Sequence, residues 1–274
     1  MGEGPDLAAA RVVLCDLDGV VWLAHQPIPG STEAVERIRA TGRRVLFVTN
    51  NSSAPRADVV ASLADVGIAA DDDVVTSAMA AASLVGPGLR VLVSGGAGIV
   101  EAVERRGAEV VPNTASADLR DVDVVVAGID FLFDYHRLDR VARVVREGAR
   151  FIATNTDSTY PTPDGLLPGG GSLIAAIETA SGVSAEVAGK PHAPMARHVA
   201  ELCGVPPTEM LMVGDRLDTD GSFAAELGCP FALVRTGVTV PGALLGDHPA
   251  PALDLLDLSA LADALEATPP PPDA

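Results

Sequence analysis

Short apolar runs that break off at polar, acid-rich loops constrain this chain more than any other feature. Arg11-Val-Val-Leu-Cys15, from Val12 on, and Val45-Leu-Phe-Val48 carry apolar side chains at consecutive positions. A strand without a polar face has both faces covered, which is the habit of parallel sheets. Further strand patterns lie at 90–93, 109–111, 122–127, 150–154, 210–213 and 231–234. Helical spacing separates them at 31–40, 98–106, 136–148, 171–181, 193–203 and 219–227, with a last helix over 254–266. This alternation predicts an α/β chain with parallel sheets and helices on their faces. Ser31 is placed to cap the first helix, and Pro55 suits the opening of the next. The stretch 263–274, ending in Thr268-Pro-Pro-Pro-Pro-Asp-Ala274, reads as a disordered tail.

Charge narrows the partners. Lys+Arg number 19 against 37 Asp+Glu, a net charge of −18. So acidic a surface repels phosphate backbones and anionic lipid, which argues against nucleic acid or a membrane as partner. A small phosphorylated metabolite stays compatible, because a bound cation reverses the sign of one local pocket. Cys15, Cys203 and Cys229 form neither a disulfide framework nor a CxxC pair. Asp6, Arg11 and Asp16 interrupt the stretch where a signal peptide needs an uncharged run. No apolar run approaches the roughly 18 residues of a membrane span. The expectation is a soluble, cytoplasmic protein.

Ligands of open parallel sheets sit beyond the carboxyl ends of the strands. The first strand is followed by Asp16-Leu-Asp18-Gly-Val20, and the second by Thr49-Asn50-Asn51-Ser52. Gly214-Asp215-Arg-Leu-Asp218-Thr-Asp220 follows the 210–213 strand, and Ala188-Gly189-Lys190-Pro191 precedes a helix. Asp16 and Asp18 share a face if extended geometry persists. Carboxylates gathered without basic partners repel one another. A hard cation such as Mg²⁺ resolves this with a few carboxylates, waters and phosphate oxygens. A carboxylate about 4 Å from a phosphate dianion is repelled by roughly 8 kcal/mol at an effective dielectric of about 20. Mg²⁺ and Lys190 together offset that repulsion, and Thr49 Oγ and the Asn50 amide can donate to phosphoryl oxygens.

These four stretches, in this order, resemble the motifs of the haloacid-dehalogenase-like (HAD) phosphatases. The 189 − 50 = 139 positions from Asn50 to Gly189 are where the NagD-like, 4-nitrophenylphosphatase-like branch inserts an α/β cap. The resemblance implies a Rossmann-like parallel-sheet core over 1–77 and 183–262, with an inserted smaller α/β cap domain over 78–182. It implies Asp16 as a nucleophile that forms an aspartyl-phosphate, and Asp18 as the acid and then base. Mg²⁺ would be held by Asp16, Asp215 and the Asp18 backbone carbonyl, with Asp220 supporting from behind. Thr49, Asn50 and Lys190 would hold the phosphoryl group. Asn155 and Asp157, after the 150–154 strand, are candidates to face the substrate.

The activity implied is Mg²⁺-dependent hydrolysis of a small phosphomonoester: glycerol phosphate, phosphoglycolate, a nucleotide monophosphate or a sugar phosphate. A phosphate-binding sensor without turnover and a phosphotransferase to an acceptor alcohol are the alternatives. Oligomeric state stays open between a monomer and the homodimer met among relatives. Gly95-Gly-Ala-Gly98 fits a tight turn better than a dinucleotide loop, because no acid stands at a strand end about 20 residues on. Pro168-Gly-Gly-Gly-Ser172 marks a close backbone approach.

Overall fold

A computed structural model of the chain describes residues 6–162, 165–243, 246, 248 and 250–270. Backbone proximity divides the chain into two compact units, one of 1–49, 59–75 and 196–274, the other of 50–58 and 76–195.

The first unit holds a six-stranded sheet. Its order is Leu253–Leu255, Phe231–Val234, Met210–Gly214, Val12–Cys15, Arg44–Thr49, Val74–Thr76. The four pairings from Leu253–Leu255 across to Arg44–Thr49 are all parallel. The apolar runs read as two-face-buried strands are so: Val13, Leu14, Leu46, Phe47, Val48 and Met212 are wholly enclosed. Each such side chain removed from water stabilises the fold by about 1.5–3 kcal/mol. The helix Ser31–Ala40 turns Ala34, Val35 and Ile38 inward at the 3.6-residue period. Its cap is Gly30 at φ +82°, not Ser31. The Ser31 hydroxyl is spent on the Val21 carbonyl at 2.8 Å.

The C-terminal segment differs from its reading. Residues 253–255 form an edge strand, and the helix begins only at Leu258, capped by Asp257 Oδ1, which accepts from the Ala260 N–H at 2.9 Å. That helix runs to Glu266 with Leu261 and Leu265 enclosed, so the stretch read as tail from 263 begins inside a packed element. Leu265 supplies the apolar contact that composition alone concealed. Residues 271–274 of that stretch lie outside the described residues.

Arg43, 2% exposed, ties this unit together. Its guanidinium donates to the carbonyls of Ala10, Leu7, Leu265 and Thr268 and to Thr41 Oγ1. Arg43→Met keeps the stem and removes every donor. It is expected to destabilise the unit by about 3 kcal/mol, because the enclosed carbonyls lose their partners. The readout is the urea midpoint, and a loss under about 1 kcal/mol would contradict it.

The second unit carries a five-stranded parallel sheet in the order Glu186–Val187, Arg150–Ala153, Val124–Ala127, Arg90–Ser94, Glu109–Pro112. Leu92, Val125, Val141, Phe151, Ile174 and Ile177 form its core. Helices Tyr135–Arg146 and Gly170–Ser181 contribute the inward faces. An antiparallel hairpin pairs Thr159–Thr162 with Gly165–Pro168. Two stretches that the sequence reading gave to the core belong here by contact. Glu186–Val187 pairs with Arg150–Ala153 as an edge strand, and the Ser53 carbonyl accepts the Gly98 N–H at 3.1 Å. The Pro168-Gly-Gly-Gly run does meet backbone closely, since Cβ atoms on Gly169 and Gly171 would overlap the carbonyls of Asp157 and Thr156.

Candidate active site

In the first unit, the chain lays down Val12–Cys15, winds out to Arg44–Thr49 and Val74–Thr76, then later adds Met210–Gly214 on the other side. The winding reverses between Val12–Cys15 and Met210–Gly214. A reversal of this kind opens a crevice at the carboxyl ends of the two strands. Asp16 and Asp215 are the residues that leave those ends. Register fixes their proximity: Cys15 lies beside Val213, and the Asp16 N–H donates to the Val213 carbonyl at 3.0 Å.

Asp220 joins them from a π-turn over Leu217–Gly221, where its Oδ2 accepts the Arg216 N–H at 3.1 Å. One carboxylate oxygen from each of Asp16, Asp215 and Asp220 lies within 4.8 Å of the others, and all three residues are buried. At that separation a like-charged pair costs about 3 kcal/mol at an effective dielectric near 20. The consequence is visible at Asp215, whose pKa is driven well above the usual carboxylate range. Burial is the largest cause, followed by the charges of Asp220 and Asp16; a hydrogen bond from the Val238 N–H opposes them. Asp215 Oδ1 is enclosed and accepts no hydrogen bond among the described residues. Three buried carboxylates, one with an oxygen left without a hydrogen-bond partner, are a hard, anionic donor set, and they fit a small divalent cation such as Mg²⁺.

Asp18 stands apart from the three. It is half-buried, and its Oδ1 accepts the Trp22 indole N–H at 3.1 Å. The bend between Asp16 and Trp22 depends on Gly19 at φ +86°, where a Cβ would come within 2.5 Å of the Asp215 carboxylate. Thr49 is the last residue of Arg44–Thr49 and is 3% exposed.

In the second unit, Asn50 is the centre of a hydrogen-bond network. Its Oδ1 accepts the Lys190 N–H at 2.8 Å. Its Nδ2 donates to the Lys190 carbonyl at 3.0 Å and to Asp157 Oδ2 at 3.1 Å. Its own carbonyl accepts from Ser77 Oγ at 2.6 Å and from Asn155 Nδ2 at 2.8 Å. Lys190 is enclosed, at 3% exposure. Thus Asn50, Lys190, Asn155 and Asp157 come together in one unit, and Asp16, Asp215 and Asp220 in the other. Both hydrogens of the Asn50 side-chain amide, read from the sequence as a phosphoryl donor, are directed here at Asp157 and the Lys190 backbone. Asn155 and Asp157, the candidates to face substrate, both bond to Asn50.

Sequence reasoning passed over three contributors: Trp22, Ser77 and the segment after Phe231–Val234. That segment donates the Val238 N–H to Asp215 Oδ2 at 2.5 Å and the Thr236 hydroxyl to the Gly19 carbonyl at 2.5 Å. Its signal was available, because it too leaves the carboxyl end of a core strand.

A family model described as haloacid dehalogenase-like hydrolase matches residues 13–109, and a second, HAD-hydrolase-like, matches 187–261. A D-glycerol 3-phosphate phosphatase of Mycobacterium tuberculosis is 40% identical over 231 residues, covering 82% of this chain and 63% of that protein, so this chain spans under two thirds of its length. The glycerol phosphate phosphatase of that organism, solved in complex with magnesium, superposes with a TM-score of 0.82 at 34% identity, covering 98% and 82% of the two chains. An acid sugar phosphatase of Staphylococcus aureus is 33% identical over 260 residues, 93% of this chain and 98% of that one. A 4-nitrophenylphosphatase structure from Thermotoga maritima gives a TM-score of 0.86 at 33% identity, covering 94% and 98%.

Proposed function

The chain belongs to the haloacid dehalogenase-like hydrolases, and from that premise we propose that it is a Mg²⁺-dependent phosphatase of small phosphomonoesters working through an aspartyl-phosphate. The observation that carries the reading is the buried cluster of Asp16, Asp215 and Asp220 with the unbonded Asp215 Oδ1. Asp16, Asp215 and the Asp18 carbonyl would hold the metal. Mg²⁺ bound there supplies the positive charge that lets an anionic nucleophile meet a phosphate dianion.

The chain's own groups divide the remaining work. An Asp16 carboxylate oxygen attacks phosphorus as the bond to the ester oxygen breaks. Asp18 gives its proton to that leaving oxygen. Asp18, now ionised, takes a proton from water, whose oxygen attacks phosphorus and frees Asp16 and inorganic phosphate. Thr49 donates its hydroxyl to the phosphoryl oxygens, and the Lys190 ammonium offsets their charge. Asn50 holds the Lys190 backbone on both its N–H and its carbonyl. The Trp22 indole aims the Asp18 carboxyl. The names carried by the relatives support glycerol phosphate and sugar phosphates as the first substrates to test.

The test is hydrolysis of 4-nitrophenyl phosphate by protein stripped of metal with EDTA and dialysed. Turnover is expected to vanish on stripping and return with Mg²⁺. Equal null rates with and without Mg²⁺ would favour a phosphate-binding sensor. A phosphorylated alcohol among the products, with a competing alcohol present, would favour a phosphotransferase. Asn50→Ala is expected to lower turnover roughly 10- to 100-fold, because Lys190 loses two backbone restraints. A rate equal to the parent's would deny Asn50 that part. A cytoplasmic location and a homodimer complete the proposal, checked by fractionation and light scattering.

A further inference from the structure

We propose that the segment 236–239 is a positioning clamp for the metal ligands, with Thr236 as the side chain that sets it; this rests on the phosphatase reading above. The segment leaves the strand Phe231–Val234 and touches both ligand-bearing loops of the first unit. The Val238 N–H binds Asp215 Oδ2 at 2.5 Å, and the Thr239 N–H binds the Asp215 carbonyl at 3.2 Å. Tying Oδ2 in this way fixes the carboxylate plane and leaves Oδ1 as the oxygen available to a cation. Gly237 is wedged in the same place. A Cβ there would overlap the Asp215 carboxylate and come within 2.7 Å of Gly19 Cα, so the backbone itself fills the space between the two loops.

Thr236 acts on the other ligand. Its Oγ1 donates to the Gly19 carbonyl at 2.5 Å, while the Gly19 N–H donates to the Trp22 carbonyl at 2.8 Å. These two bonds hold the two peptide planes that flank Gly19 Cα. In a trans peptide the C=O and N–H point to opposite sides. The Gly19 N–H bond to Trp22 therefore aims the Asp18 carbonyl the other way, and the Thr236 bond stops the Gly19 hinge from rotating. Gly19 needs that restraint, since glycine at φ +86° has no side chain to limit it. The segment is anchored in turn by Arg235, which pairs with Asp254 through both Nε and Nη2 and donates to the Val240 carbonyl. Thr236 touches no reacting atom in this scheme; it works through Gly19. Outer partners of metal ligands commonly govern affinity by 10- to 100-fold.

The experiment titrates the metal-free 274-residue chain with Mg²⁺ alone by calorimetry, with thermal unfolding in EDTA and turnover of 4-nitrophenyl phosphate in parallel. Thr236→Val keeps the shape and removes the hydroxyl. It is expected to weaken Mg²⁺ binding about 10-fold, to raise the Mg²⁺ needed for half-maximal turnover by a similar factor, and to unfold in EDTA near the parent's midpoint. Thr236→Ser is expected to restore the parent affinity. Parent-like Mg²⁺ affinity in Thr236→Val overturns the clamp while leaving the phosphatase reading intact. A parent protein that neither binds Mg²⁺ nor turns over overturns both. Thr236→Ala is the second variant. Should both Val and Ala variants be unfolded in EDTA, the segment is a folding element and the proposal fails.

Discussion

Asp16→Asn is expected to lower turnover of 4-nitrophenyl phosphate by roughly 10⁴-fold or more, on the scale of nucleophile deletions in other covalent enzymes. The carboxamide oxygen is neutral and a poor nucleophile, so the proposed aspartyl-phosphate would not form. Fold is expected to persist, because the change is nearly isosteric. The Asp16 backbone N–H keeps its bond to Val213, and the neighbouring strands keep their register. One of three mutually repelling charges also disappears. Turnover within about tenfold of the parent would sink Asp16 as nucleophile. Acid-quenched protein should carry covalent phosphate in Asp18→Asn, where breakdown is slowed, and none in Asp16→Asn.

Asp215→Asn is expected to abolish the calorimetric Mg²⁺ signal while making the metal-free protein more resistant to heat. Both halves follow from one arrangement. Asp215 is enclosed beside Asp16 and Asp220, and is held protonation-prone first by burial and then by the charges of Asp220 and Asp16. Each neighbour costs about 3 kcal/mol when both partners are ionised, and part of this is relieved by protonation. A neutral amide removes the repulsion and keeps an oxygen for the Val238 N–H. The first unit's unfolding transition in EDTA is expected to rise by about 5 °C, as a gain of one to two kcal/mol would produce. Added Mg²⁺ should raise the parent's transition and leave the variant's in place. A variant that melts below the parent in EDTA would show that the cluster is not under electrostatic strain.

The two halves of the molecule were unequally legible. Asp16, Asp215 and Asp220 were readable because strand ends collect chemistry and an apolar run marks where a strand stops. Parallel pairing then brought two of those ends side by side. Asn50 was found, but its partners were not: nothing in a Thr-Asn-Asn string says that its amide closes on residues 107 and 140 positions later. Nothing in the sequence around Trp22 shows that its indole N–H bonds to the Asp18 carboxylate. Edge strands as short as Glu186–Val187 and Leu253–Leu255 carry too few residues for periodicity to register, and their neighbours in the sheet define them. Thr236 and Gly237 are common turn residues, and only contact with Gly19 and Asp215 distinguishes them.

The guanidinium of Arg43 has a practical use. One of its nitrogens reaches the carbonyls of both Leu7 and Thr268, at 2.9 and 2.5 Å. Two positions so far apart along the polypeptide thus meet at a single atom, and a linker of a few glycines and serines could splice them. New ends could then be opened in an exposed turn such as that around Gly148, giving a circularly permuted chain in which the loops bearing Asp16 and Asp215 keep their original neighbours.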